Sequence, residues 1–171
     1  KLHRHLFVDR RRRAQVGLIW SVPSLMWRRF SSLIIGPSLS VPTDIQHAFY
    51  MSGIARVMED SHTLYEVLML GHPEVFNDTA STRRISEFET ILLAGVDAIS
   101  DSHVSLLSRF VRGGGHLITV GAAVGSNDEE RLPRSTPALS ALTHRPGKGR
   151  VSVMPDGPMA SCLCGKEPRD V

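Results

Sequence analysis

Short continuous runs of apolar residues alternate along this chain with longer stretches whose apolar residues recur at helical spacing. No other feature limits the fold as strongly. Ala14 to Trp20, Tyr65 to Leu70, Thr90 to Ala94 and Leu117 to Val120 are too short for core helices and rich in Val, Ile and Leu on both faces. Strands apolar on both faces belong to a parallel sheet covered on each side by helices. Between them, Ile45, Ala48, Phe49, Ser52, Ile54, Ala55, Val57 and Met58 recur near a helical period, with Thr43 or Asp44 as cap and an end near His62. Ser100 to Arg112 opens with a good cap, places Val104, Leu107, Phe110 and Val111 on one face, and is stopped by Gly113, Gly114 and Gly115 in a left-handed turn. Short helices are expected at about Ser81 to Phe88 and Pro137 to Leu142, and a last strand at Gly149 to Met154. Right-handed crossovers make this an α/β fold, a three-layer α/β/α sandwich around a doubly wound, mostly parallel sheet of the flavodoxin-like type.

The 171 residues suffice for one domain with a real core, expected over 14–154 between a basic lead-in (1–13) and a C-terminal tail (155–171). An apolar share of 42% and a charged share of 22% argue against disorder and against a membrane protein. The most apolar stretch, Val16 to Ile35, is broken by Pro23, Arg28 and Arg29, and no secretory signal pattern opens the chain, which begins at Lys1. The net charge of +3 hides an asymmetry: residues 1–30 carry eight Lys or Arg and one acid, leaving 12 basic and 16 acidic residues beyond them. The run Arg10 to Arg13 has no interleaved aromatics, so it suits a solvated lead-in or a contact with an acidic segment better than nucleic acid. Cys162 and Cys164 supply two of the roughly four ligands that zinc needs, with no His nearby. No metal and no cofactor is expected, and the thiols suit a reducing compartment, the cytoplasm.

Ligands of such sheets bind at the carboxyl ends of the strands, here Ser21, Gly71, Gly95 and Gly121. The stretch Phe110 to Gly125 carries the most specific pattern there: helix end, glycine stop, buried strand, then the tight turn Gly121, Ala122, Ala123, Val124, Gly125. In nucleophile-elbow enzymes such a turn exposes a Ser or Cys between flanking glycines. Ala123 holds that central position, and a methyl group cannot attack a carbonyl. Two Asp-Ser-His triplets, Asp60 to His62 and Asp101 to His103, name the residues of a hydrolase triad, but adjacent side chains diverge, and both sit where a helix terminus would use them. Gly113 to Gly115 follows a helix and precedes a strand, the reverse of a phosphate loop, and Asp128 to Glu130 suits a solvated loop. His47, His72 and His144 stand isolated.

In order and wording, Ala14 to Trp20, His47 to Glu59 with Tyr65 to Leu68, Ile91 to Asp101, Phe110 to Gly115 and Gly147 to Val151 resemble the class I glutamine amidotransferase-like superfamily. More narrowly, they look like the middle, or trimerisation, domain of family 42 β-galactosidases. The resemblance covers most of residues 14 to 154. It implies that Ala123 stands where amidotransferases carry their nucleophilic Cys, and no His-x-Glu pair follows Met154. It therefore implies a fold kept without glutaminase chemistry. In those glycosidases the hydrolytic carboxylates belong to a separate barrel, for which this chain is too short.

The expected function is that of a non-catalytic domain of a carbohydrate-hydrolysing enzyme, serving association with itself, as a homo-oligomer such as a trimer, or with an adjoining glycosidase barrel. A vestigial cleft is expected at Ser21, Gly71, Gly95, Gly121, Ala122, Ala123, Gly125 and Ser126. Trp27, Arg28, Arg29 and Phe30 are the interface candidates, although Trp27 and Phe30 fit packing over the sheet edge equally well. The alternative is a stand-alone small-ligand binder or hydrolase using Ser21, Ser126 or His72 in the carboxyl-end cleft.

Overall fold

A computed structural model of the chain describes residues 14–26, 46–121, 124–144 and 147–154. Five parallel strands, β1 (Val16–Ser21), β2 (Tyr65–Leu70), β3 (Thr90–Ala94), β4 (His116–Val120) and β5 (Arg150–Met154), form one sheet in the order β2-β1-β3-β4-β5. Leu18 pairs with Val67 and with Leu92, and Ile118 lies across from Leu92, so neighbouring side chains stand in register on both sheet faces.

Each face buries its own cluster. On one, Ile19, Leu68, Ile91, Leu93 and Leu117 pack with Leu107, Phe110 and Val111 of α4 (Asp101–Arg112) and with Ile85 and Phe88. On the other, Leu18, Leu92, Ala94 and Val120 meet Tyr50, Met51 and Ile54 of α2 (Gln46–Asp60). This two-sided burial is why the strands are apolar on both faces, and it makes the fold the expected three-layer α/β/α sandwich with a doubly wound sheet. Val67, Val153 and Met154 are exposed on the edge strands β2 and β5. Among the described residues, no helix is long and apolar enough to cross a membrane.

Several elements differ from the sequence expectation. The buried face of α2 is His47, Tyr50, Met51 and Ile54, whereas Phe49 and Val57 of the expected stripe are exposed. A histidine and the amphipathic Tyr50 take the inner positions, which shifts the face by about one residue. Thr43 and Asp44, the expected caps, lie outside the described residues, as do 1–13 and 155–171. In place of one short helix at Ser81 to Phe88 there are α3 (Thr79–Thr82), started by the Asn77 side chain accepting from the Thr79 amide, and a 3₁₀ turn (Ile85–Glu87) that turns both Ile85 and Phe88 inward. The helix expected at Pro137 to Leu142 begins later, as α5 (Ser140–His144), after a segment whose Ala138 amide donates to the Gly125 carbonyl. A single turn, α1 (Pro23–Met26), follows β1.

The stop after α4 falls on the expected glycines. Gly113 is still right-handed at φ −73°, and Gly114 takes the left-handed conformation at φ 118°. Gly95 is also left-handed, at φ 60°, and a Cβ there would run into the Tyr50 ring. Gly95→Ala should lower the urea midpoint by the equivalent of about 1–3 kcal/mol. Gly114→Ala, where a Cβ meets nothing within 4 Å, should lose only the backbone contribution of about 1 kcal/mol.

Candidate functional site

The strand order reverses direction between β1 and β3, so the ligand crevice of this topology opens where Ser21 and Ala94 end their strands. Among the described residues, side chains of the chain itself bond these strand ends. His47, 2% exposed on the first turn of α2, accepts the Ser21 amide at Nε2 (2.9 Å) and meets the Ala94 carbonyl at Nδ1 (2.6 Å). A backbone N–H only donates and a carbonyl only accepts, so the ring must be the neutral tautomer protonated at Nδ1. Burial lowers the His47 pKa from its usual 6.5, with the Ala94 hydrogen bond and the Asp97 charge opposing that shift. Trp20 closes the outer side, edge-on to the imidazole at 5.7 Å. With both nitrogens engaged, His47 has no lone pair for a substrate proton or a metal.

Ser21 is equally committed. Its hydroxyl donates to the Ala98 carbonyl at 3.0 Å and accepts from the Ser24 amide and hydroxyl, while Ser24 Oγ accepts the Ala98 amide at 3.1 Å. The β1–α1 turn is thereby laced to the loop after β3.

The other expected cleft positions serve the backbone. The Gly71 amide donates to Asp78 Oδ2, that of Gly95 to the Val120 carbonyl, that of Gly121 to the Met154 carbonyl, and that of Gly125 to the Val96 carbonyl. Ser126 Oγ accepts from the Asn127 side-chain amide. Ala122 and Ala123 lie outside the described residues, as do Trp27, Arg28, Arg29 and Phe30.

Neither Asp-Ser-His triplet forms a unit of its own, but His103 joins a different set. Its Nε2 donates to Asp78 Oδ2 at 2.6 Å, and its Nδ1 shares a 2.7 Å hydrogen bond with Ser100 Oγ. These are the residue types of a hydrolase triad, assembled from two loops. The hydroxyl nevertheless caps α4, accepting the His103 amide, and Ser100 is 3% exposed. Attack on a substrate would require uncapping the helix, so the geometry suits a brace: Asp78 ties the chain after β2 to the start of α4.

The loops are further joined by His72 to Glu130 at 3.0 Å, by Arg131 to Asp97 at 2.5 Å, and by Arg134 to the Ile99 carbonyl at 2.9 Å. His47 and His72, isolated in sequence, are thus buried and partnered, and Glu130 of the loop expected to be solvated holds His72. His144 is exposed at the end of α5. The signal for His47 was available: it lies three, four and seven residues before the buried Tyr50, Met51 and Ile54. The partners of His103 and His72 are 25 and 58 residues away, a distance that no local pattern bridges.

No protein-family model matches the chain, and no curated protein sequence matches it. Among solved structures it is similar to the β-galactosidase from Bifidobacterium adolescentis, at 18% identity and a TM-score of 0.48, over 70% of this chain and 45% of that one. It is similar also to Gan42B, a GH42 β-galactosidase, at 16% identity and a TM-score of 0.49, over 72% of this chain and 16% of that one. A catalytic mutant of Gan42B from G. stearothermophilus gives 17% identity and a TM-score of 0.47, over 73% and 16%. The chain spans less than half the length of each.

His47→Ala leaves the Ser21 amide and the Ala94 carbonyl buried without partners, and should lower unfolding free energy by about 2–4 kcal/mol in urea titrations. Because the folded pKa of His47 lies below the unfolded one, its contribution is complete above pH 6.5 and declines as pH falls toward the folded value. Stability measured from pH 7.5 down to 5 should therefore drop more steeply in the parent than in His47→Ala. A double-mutant cycle on Asp78→Ala and His103→Ala should return a coupling of about 0.5–3 kcal/mol.

Proposed function

We propose that this chain is a non-catalytic, amidotransferase-like domain of the β-galactosidase type, whose function is association with copies of itself or with a glycosidase barrel. One observation carries the reading: the polar atoms of His47, Ser21 and Ser24, at the switch between β1 and β3, are spent on one another and on the backbone. Ala123, at the position of the family's nucleophilic Cys, adds no reactive atom. The alternative, a hydrolase or ligand binder using this cleft, finds little support, since Ser21 is 1% exposed and, among the described residues, no imidazole bonds the Ser126 hydroxyl.

The β-galactosidase type is supported by the wording of the segments from Ala14 to Trp20 through Gly147 to Val151. That resemblance implies a homo-oligomer, with a trimer as the family's form and Trp27, Arg28, Arg29 and Phe30 as anchors. Glutamine and simple esters should not be turned over, and a covalent glutamine analogue should leave no adduct. Light scattering at micromolar concentration should give a multiple of the chain mass, reduced by Trp27→Ala. A strict monomer unaffected by Trp27→Ala, with no affinity for a β-galactosidase barrel, would remove the association reading. Turnover lost in Ser126→Ala would replace it with the hydrolase.

A further inference from the structure

The cations of the described residues are divided by their partners. Arg56, Arg84, Arg131 and Arg134 each pair with a carboxylate, while Arg83, Arg109, Arg112 and Lys148 pair with none among the described residues, and Arg150 turns to His116. Four of these unneutralised groups, Arg83, Arg109, Lys148 and Arg150, line one cleft of about 990 Å³. It lies at the amino edge of the sheet, opposite the carboxyl-edge crevice, where β3, β4 and β5 begin and α4 ends. Glu89 is the single acid of the lining, and it accepts from Gln15 Nε2 at 3.1 Å.

The C-terminus of α4 attracts cations, but a helix end carries only about half a negative charge. Four cations against one carboxylate leave an excess that the helix cannot balance. Ile85, Phe88 and Phe110 are buried beneath the cleft and Gly115 lies against the Phe110 ring, so the surface open to a ligand is that of the exposed cations and of the backbone at Gly113 to Gly115. A cleft at the upper end of small-molecule volumes, rimmed by four exposed cations of which none pairs with a carboxylate among the described residues, matches a small ligand with several negative charges.

We propose that this amino-edge cleft is a binding site for a small phosphorylated molecule, its anionic groups held by Arg109, Lys148 and Arg150. The site is independent of the carboxyl-edge crevice and of the association reading. His116 reports on it: burial and the nearby Arg150 charge lower its pKa, and a bound anion counters the second of these causes.

The test uses ADP, pyrophosphate and adenosine as probes, with amide and imidazole NMR and calorimetry on the full chain at low and at physiological salt. ADP and pyrophosphate should both bind and adenosine should not, with shifts at Gly114, Gly149 and His116, a raised His116 pKa, and weakening by salt. Arg109→Ala with Lys148→Ala, both exposed and without carboxylate partners among the described residues, should weaken ADP about tenfold or more, while Arg56→Ala changes nothing. Absence of ADP binding at millimolar concentration, binding indifferent to the double substitution, or shifts confined to the carboxyl edge would overturn the site. Adenosine binding as tightly as ADP would overturn the role of the cations.

Discussion

A parallel sheet ends every strand with backbone groups that have run out of neighbours, and this fold depends on how those groups are satisfied at the switch point. Water or a ligand serves them in a sheet that binds something there. In this chain one imidazole does so, donating to the end of β3 and accepting from the end of β1. The arrangement tolerates only the neutral ring, and it fixes the first turn of α2 against the ends of β1 and β3.

The remaining carboxyl-edge loops use the same device with different residues. Ser21 and Ser24 bind the loop after β3, Asp78 binds α4 and the Gly71 amide, and Glu130 binds His72. Most of these links join segments distant in sequence, and each leaves a polar group bonded within the fold. Polar residues gathered at the functional edge of an α/β sheet are thus compatible with a rigid, closed surface, and the partner of each group decides which it is.

The sheet was legible because its residues obey a local rule. Tyr65–Leu70 and Thr90–Ala94 begin and end where their apolar runs do, since burial on both faces admits little else. The orientation of α2 was less legible, because its inner face carries His47 and Tyr50, residues that an apolar count passes over. The triad-like set at Ser100, His103 and Asp78 could not be read at all: two members lie in one segment, and the third arrives through the fold. The amino-edge cleft escapes for the same reason, since Arg83, Arg109, Lys148 and Arg150 converge only once β3, β4 and β5 are aligned.

The outermost strands have a bearing on how the domain behaves alone. Beyond β2 and β5 no further strand pairs among the described residues, and Val67, Val153 and Met154 leave oily side chains beside these bare ladders. Such margins template the addition of another strand, a hazard that charged neighbours only blunt. Arg84 with Glu66 guards the first margin and Arg150 the mouth of the second. Among the described residues, the lateral borders of the sheet are therefore the places where isolated copies meet first.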